Sequence, residues 1–331
     1  MNLTEIKNFS RIYETERKKI DIKLQNLLKG REPLMLYKPA SYILESSGKR
    51  LRPLLVLFSS KASGGKFIQV YNAALAVEML HNFTLVHDDI MDKADLRRGR
   101  ETLHKKYDIN TAILAGDSLL AVAYEYLLKD CNVNAKKALA SFTNGLIEVC
   151  EGQSLDTDFE KRKNVSIDEY ITMITKKTAM LLKMCCEIGS LLVDANPRDI
   201  KILSDYGLNL GIAFQIQDDL LDIIGDQKKF GKKVGGDLIE GKKTFLFLRA
   251  LDKSKGNNKK ALLRVIKHKG IKPSEVNIYK KIYEELGVIQ EAKKEIESYT
   301  ITALKSISKL SDKKNIGLFY WLANSLIKRD Q

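Results

Sequence analysis

The sequence predicts an all-α protein in one domain spanning residues 1–331. Three observations carry this. Apolar residues recur at three- and four-residue spacing almost everywhere, while clear alternation is rare. There are five prolines, and none lies between Pro53 and Pro197. No fixed-length repeat or low-complexity linker interrupts the chain. Its 331 residues are enough for one large core.

The clearest helix is expected over about 66–95, between Gly64-Gly65 and Gly99. Val70, Ala73, Ala74, Val77, Leu80, His81, Thr84, Asp88 and Asp92 share one broad face that begins apolar and ends acidic. A second helix, about 199–224, runs the same way from Leu203, Leu210 and Phe214 to Asp218, Asp219 and Asp222. Further helices are expected over about 108–130, 134–158, 166–194 and 243–252. Two or three more should follow Pro273, and one should start at Pro53. The glycine-rich stretch 225–241 reads as a long functional loop.

Hydrophobic residues at 44% and charged residues at 30% exclude a disordered chain. No apolar run approaches the roughly 20 residues of a membrane span. The first residues, MNLTEIKNFSRIYETERKK, show no apolar signal region. A cytoplasmic protein without a transmembrane segment is expected. Cys131, Cys150, Cys185 and Cys186 have no metal-site spacing, and the adjacent pair reads as buried thiols. The formal charge of +14 raises the question of a nucleic-acid partner. The excess reads as scattered lysine pairs without a nucleic-acid motif, so no such partner is expected.

Asp-Asp-x-x-Asp occurs twice, as DDIMD at 88–92 and DDLLD at 218–222. The first and last aspartates of each motif stand one helical turn apart on one side. Like charges at that spacing repel, and the flanking residues are apolar, so a cation should offset them. Oxygen donors without nearby cysteine favour magnesium or calcium. Magnesium commonly takes one or two carboxylates and completes its octahedron with water and phosphate. Two such clusters are expected to hold a metal–diphosphate assembly. Cations accompany them. GKRLRP at 48–53 supplies Lys49, Arg50 and Arg52, DLRRGR at 95–100 supplies Arg97 and Arg98, and ITKKTAML at 174–181 supplies Lys177 and Thr178. FGKKVGGDLIEGKKT supplies Lys232 and Lys242. No nucleophile–base constellation is present.

These segments, with HNFTLVHDDIMDKADLRRGRETLH, AGDSLL, EGQSLD and FQIQDDLLDIIGD in this order, closely resemble the polyprenyl synthetase family over about residues 40–250. The tail IGLFYWLANSLIKRD is similar to the family's last helix. The resemblance implies an all-α isoprenoid synthase bundle around a central cavity, usually a homodimer. It implies a trans-prenyltransferase that condenses isopentenyl diphosphate with an allylic diphosphate through an allylic carbocation. It also implies about three magnesium ions, ligated by Asp88, Asp92 and Asp218 with Asp222 nearby, and indirect roles for Asp89 and Asp219. Arg97, Lys177, Thr178, Lys232 and Lys242, with Gln215, would hold the allylic diphosphate. Lys49, Arg52, His81 and Arg98 would bind isopentenyl diphosphate, and Gln153 and Asp156 would line the cavity. The catalytic set on this reading is Asp88, Asp92, Asp218, Arg97 and Lys177. His87 is left as structural or acid–base.

Product length in such enzymes depends on the residues before the first aspartate. Phe83 and Thr84 resemble the twenty-carbon, geranylgeranyl type, with a fifteen-carbon farnesyl product as the alternative. An ideal wheel puts Thr84, Leu80 and Val77 near the Asp88 face and Phe83 away from it. A terpene cyclase would not need GKRLRP or the second acidic motif. A non-catalytic subunit of a heteromeric synthase would typically lose one motif, and both are intact here.

Overall fold

The computed structural model describes residues 3–225 and 234–327. The chain forms two compact units. The first comprises Met1–Thr143, Met184–Ser204 and Ser308–Trp321; the second comprises Asn144–Lys183, Asp205–Ile307 and Leu322–Gln331. Both are helical, and the strands among the described residues are two two-residue segments.

In the first unit, α1 (Leu3–Asn26), α2 (Leu34–Leu44) and α3 (Leu51–Ala62) precede a 3-10 turn (Phe67–Val70) and α4 (Tyr71–Met91). A hairpin of β1 (Leu96–Arg97) and β2 (Arg100–Glu101) leads through α5 (Leu103–Lys106) to α6 (Ile109–Lys129) and the start of α7 (Ala135–Lys161). Helices α4 and α6 form the centre of this unit. At one end Asp130 accepts from Ala73 N at 2.8 Å and Asn72 Nδ2 at 2.7 Å. At the other end Gly116 lies so close to α4 that a Cβ there would stand 2.6 Å from His87 Cε1. These two pairings make the helices antiparallel. Ala112, Ala115, Leu119, Ala123 and Leu127 on α6 are fully buried, and mostly small residues let the helices approach closely. By length and composition α6 could cross a bilayer, the one such helix among those described. It carries Asp117 and Glu125, and its inner face is used up by packing on α4.

The helix expected over 66–95 is shorter. It begins at Tyr71 and ends at Met91, because Lys93 adopts left-handed backbone (φ 51°). Lys93 N then donates to Ile90 O at 3.3 Å and Ala94 N to Asp89 O at 3.0 Å, which closes the carbonyls of the last turn. The following hairpin turns at Arg98-Gly99, with φ of 53° and 74° as a tight antiparallel turn requires. The helix expected to start at Pro53 begins two residues earlier, at Leu51.

The second unit takes the rest of α7, then α8 (Ile167–Ile174), a π turn (Thr175–Ala179) and the start of α9 (Met180–Leu191). It continues with α10 (Pro197–Ile224) from residue 205, α11 (Gly236–Ile239), α12 (Phe245–Lys253), α13 (Gly256–His268), α14 (Val276–Glu285) and α15 (Val288–Ile307). The last helix, α16 (Ile316–Ile327), contributes to each unit by residue number. Tyr170, Ile216, Leu220, Phe245, Phe247, Leu262 and Tyr283 lie in this unit's core. Ser166 and Glu169 cap α8 reciprocally, at 3.2 and 2.8 Å.

The single helix expected over 166–194 is therefore broken by the π turn. Helices α1, α2 and α13 have no counterpart among the expected spans; the lysines and short apolar pattern of α13 resemble a surface loop. Within the expected 225–241 loop, the described residues include a short helix, α11.

A left-handed lysine costs about 1 kcal/mol that glycine avoids. Lys93→Gly should therefore raise stability by about this amount in denaturant melts. A variant with a lower midpoint would show that Lys93 makes a compensating contact.

Candidate active site

The two acidic motifs divide their carboxylates alike. In each, the middle aspartate is buried: Asp89 is 3% exposed and Asp219 5%. Asp88, Asp218 and Asp222 are partly exposed, and Asp92, at the end of α4, is exposed. A buried carboxylate needs donors, and each middle one has them. Arg97 Nε donates to Asp89 Oδ1 at 2.6 Å. Burial raises the pKa of Asp89, and Arg97 opposes that rise. Asp219 accepts from Tyr170 OH at 2.5 Å, Gln215 Nε2 at 3.1 Å and Phe245 N at 3.1 Å. Burial nevertheless pushes Asp219 up to about 6.

In the first unit the basic residues take three different positions. Arg97 sits on the acidic motif, as the spacing implied. Arg98 does not: its guanidinium reaches back to Ser47 O at 3.1 Å and lies against Gly48. Arg50 turns inward. Its backbone is left-handed (φ 49°), and it is 4% exposed. Its guanidinium donates to Asp21 at 2.7 Å, to Glu78 at 2.6 Å and to the Ser46 carbonyl. Tyr13 OH donates to the Lys49 carbonyl. The loop before α3 is thus fixed by a buried ion-pair network, with Lys49 left exposed and Arg52 in the first turn of the helix.

Arg52 Nη1 lies 3.1 Å from His81 Nε2. An arginine can only donate, so Nε2 accepts and the proton of the neutral ring sits on Nδ1. Nδ1 is buried and has no hydrogen-bond partner among the described residues. Burial first, then Arg52, Arg98 and Arg97, hold His81 well below the ordinary histidine range.

In the second unit the π turn aims Lys177 and Thr178 of the KKTAML segment at two neighbours. Lys177 Nζ bonds Asp156 at 2.6 Å, and Thr178 Oγ1 bonds Gln215 Oε1 at 3.0 Å. The turn fits because both facing helices present glycine. A Cβ on Gly152 would lie 2.2 Å from Lys177 N, and one on Gly211 would lie 2.5 Å from Ala179 Cα. Thr178, Gln215, Asp219 and Tyr170 form one hydrogen-bonded chain. Gln153 Oε1 is buried without a partner among the described residues. Lys242 pairs with Glu240 at 2.8 Å. Asp222 accepts from the amides of Gly236 and Asp237, both at 3.1 Å, so its carboxylate caps α11. Lys232 lies outside the described residues.

Of the product-length candidates, Leu80 is fully buried in the first unit. Thr84 and Phe83 are partly exposed, and the Phe83 ring stacks on His87 at 4.6 Å. All four cysteines are free thiols, with Cys185 and Cys186 buried. Sequence reasoning missed the structural parts of Tyr170, Glu78 and Asp21, whose partners are 28 to 49 residues away. The one available signal was Glu78, an acid on the otherwise apolar face of α4.

The outer carboxylates of both motifs are oxygen donors that fit a hard cation. Among the described residues, no three His, Cys, Asp or Glu side chains converge closely enough to cage an ion alone. Paired oxygen donors that leave positions for phosphate suit magnesium rather than zinc.

An all-α fold with two Asp-Asp-x-x-Asp helices defines the isoprenoid synthase class. The chain belongs to the polyprenyl synthetase family, whose profile matches residues 33–286, and it is a prenyltransferase. It is 40% identical to the geranylgeranyl diphosphate synthase of Sulfolobus acidocaldarius over 285 residues, covering 85% of this chain and 86% of that one. A solved geranylgeranyl pyrophosphate synthetase from Pyrococcus horikoshii superposes with a TM-score of 0.89 at 36% identity, covering 97% and 98% of the two chains. A polyprenyl synthase from Caulobacter crescentus, solved with calcium and isoprenyl diphosphate, gives 0.89 at 26% identity, covering 98% of each.

Protonation of His81 is disfavoured in the fold, whereas the unfolded chain takes that proton near pH 6.5. Below about 6.5 the unfolded state therefore binds more protons, and stability falls as pH drops. His81→Gln should remove this slope. Denaturant melts at pH 7.5 and 5.5 should show the wild type losing more stability than the variant; equal losses would contradict a neutral buried His81.

Proposed function

We propose that the chain is a magnesium-dependent trans-prenyltransferase that condenses isopentenyl diphosphate with an allylic diphosphate to give geranylgeranyl diphosphate. One observation carries the reading: in both acidic motifs the middle carboxylate is buried against protein donors and the outer ones are more exposed, Asp222 also capping α11. That split leaves hard oxygen donors at the surface of each helix, suited to holding cations.

Asp88 and Asp92, one helical turn apart, are assigned to magnesium, as is Asp218 with Asp222. About three ions are assigned, following the family. Bound magnesium supplies neutralisation of the departing diphosphate. Arg97, Lys177, Thr178, Gln215, Lys232 and Lys242 are assigned to the allylic diphosphate. Lys49, Arg52, His81 and Arg98 are assigned to isopentenyl diphosphate. The unsatisfied Nδ1–H of His81 supports its part, since a phosphate oxygen would complete it. Arg50 is placed differently: it holds the loop and leaves Lys49 and Arg52 to the substrate. These fixed cations take up the charge that develops as the allylic carbon–oxygen bond breaks. The double bond of isopentenyl diphosphate attacks the resulting carbocation, a carbon–carbon bond forms, and one proton leaves to the released diphosphate.

Twenty carbons is the product length favoured by Thr84, by Phe83 and by the relatives carrying that name. The partly exposed Phe83–His87 pair is a better stop than Leu80, which lies in the core. The enzyme is read as a cytoplasmic homodimer. The outer face of α6 leaves Ile109, Ile113, Leu114 and Leu128 exposed, as an interface would require.

Asp88→Asn and Asp218→Asn should each lower turnover by about 100-fold or more while circular dichroism stays native. Turnover is read from labelled isopentenyl diphosphate with each allylic primer. Wild-type turnover in either variant, or activity indifferent to EDTA, would remove the metal assignment. In the same assay Phe83→Ala should lengthen the product beyond twenty carbons; an unchanged chain length would take Phe83 out of the stop.

A further inference from the structure

The positive charge is not evenly spread. Residues 253–281 contain nine lysines and Arg264 against the single acid Glu275. That is a net +9 of the chain's +14 within 29 residues. The segment is α13, the loop after it and the first part of α14, all in the second unit. Tyr279 OH bonds Ala261 O at 3.1 Å and ties the two helices together.

On α13 the inner side is Leu262 and Val265, both buried. The outer side is Lys260, Leu263, Arg264, Lys267 and His268, which recur at three- and four-residue spacing and are all exposed. Lys269 and Lys272 in the loop and Lys281 on α14 are exposed as well. Lys253 is paired with Glu291. None of the other nine cations forms an ion pair among the described residues. Two large apolar side chains are exposed in the segment: Leu263, at 47%, stands within the basic row of α13, and Ile278, at 56%, lies on α14 beside Lys281 and Glu285.

We infer that this surface, centred on Lys260, Leu263, Arg264 and Lys267, docks on the face of an anionic lipid bilayer. Flexible lysines and an arginine match an array of lipid phosphates. Leu263 can enter the headgroup boundary between them, a mixture typical of interfacial helices. Single-stranded nucleic acid would call for exposed aromatic rings to stack on bases. The one aromatic residue in the segment, Tyr279, is 5% exposed. The inference stands on exposure and charge, independently of the active-site reading. If that reading holds as well, the enzyme is stationed where an amphiphilic prenyl diphosphate partitions.

The full chain is floated with phosphatidylcholine vesicles and with vesicles that also contain phosphatidylglycerol, at low and high salt. Binding is expected to the anionic vesicles alone, and to be lost at high salt. Each cation near such a surface contributes about a fivefold factor in partitioning. The triple variant Lys260→Glu, Arg264→Glu and Lys267→Glu should therefore lose on the order of 100-fold or more. Leu263→Ser should weaken binding without abolishing its salt dependence. Turnover on soluble substrates should be unchanged in both variants. No binding to anionic vesicles, equal binding to neutral ones, or wild-type binding by the triple variant would overturn the inference. So would tighter binding of an RNA oligonucleotide than of vesicles through the same three residues.

Discussion

A carboxylate can be buried only where donors meet it, and both acidic helices are anchored by that requirement. Asp89 is held by Arg97, eight residues further on, and the distance is bridged only because α4 stops at Met91 and the chain reverses in a hairpin. Asp219 is held by Tyr170, Gln215 and the Phe245 amide, which come from α8, α10 itself and the start of α12. Removing Arg97 would leave the Asp89 carboxylate buried without its counter-charge, and removing one of the neutral donors of Asp219 would cost about 1–3 kcal/mol. These contacts fix the rotation of each helix about its axis. The rotation in turn fixes where the first and last aspartates of each motif point.

The same logic acts on the basic side. Glu78, one turn before His81, is 3% exposed and is satisfied by Arg50. Arg50 precedes α3 with left-handed backbone, and its side chain turns inward to that carboxylate. Lys49 and Arg52 then leave the loop in other directions, Lys49 to solvent and Arg52 to His81. Three adjacent cations of one motif therefore do different work, and one of them is structural. Counting charges in GKRLRP cannot separate them.

Much of the fold was legible because helices advertise themselves by period. α6, α10 and α12 lie within a few residues of their expected spans, and the two acidic motifs were readable because carboxylates in apolar helices need an explanation. What was not legible depended on contacts distant in sequence. The π turn exists where Gly152 and Gly211, on separate helices, admit a widened backbone. Neither glycine announces that role locally. The end of α4 at Met91 rests on Lys93 taking a conformation usual for glycine. The cap made by Asp222 joins residues 14 and 15 apart, across a segment that periodicity describes only as a loop.

Phe83 is positioned by more than its place on the helical wheel. An ideal wheel places Phe83 away from Asp88. In the fold, α4 is regular there, and Phe83 shares its stripe with His87, four residues on. His87 is in turn fixed. Nδ1 lies 3.0 Å from the Phe83 carbonyl, Nε2 lies 3.4 Å from Asp117, and Gly116 leaves the ring room. Phe83 and His87 therefore act as one aromatic block whose position α6 determines. A side chain at residue 116 would displace that block without altering any residue of the acidic motif. With Phe83 in its proposed role, product length depends on the packing of α4 against α6, and a comparison confined to the residues just before Asp88 reads only half of it.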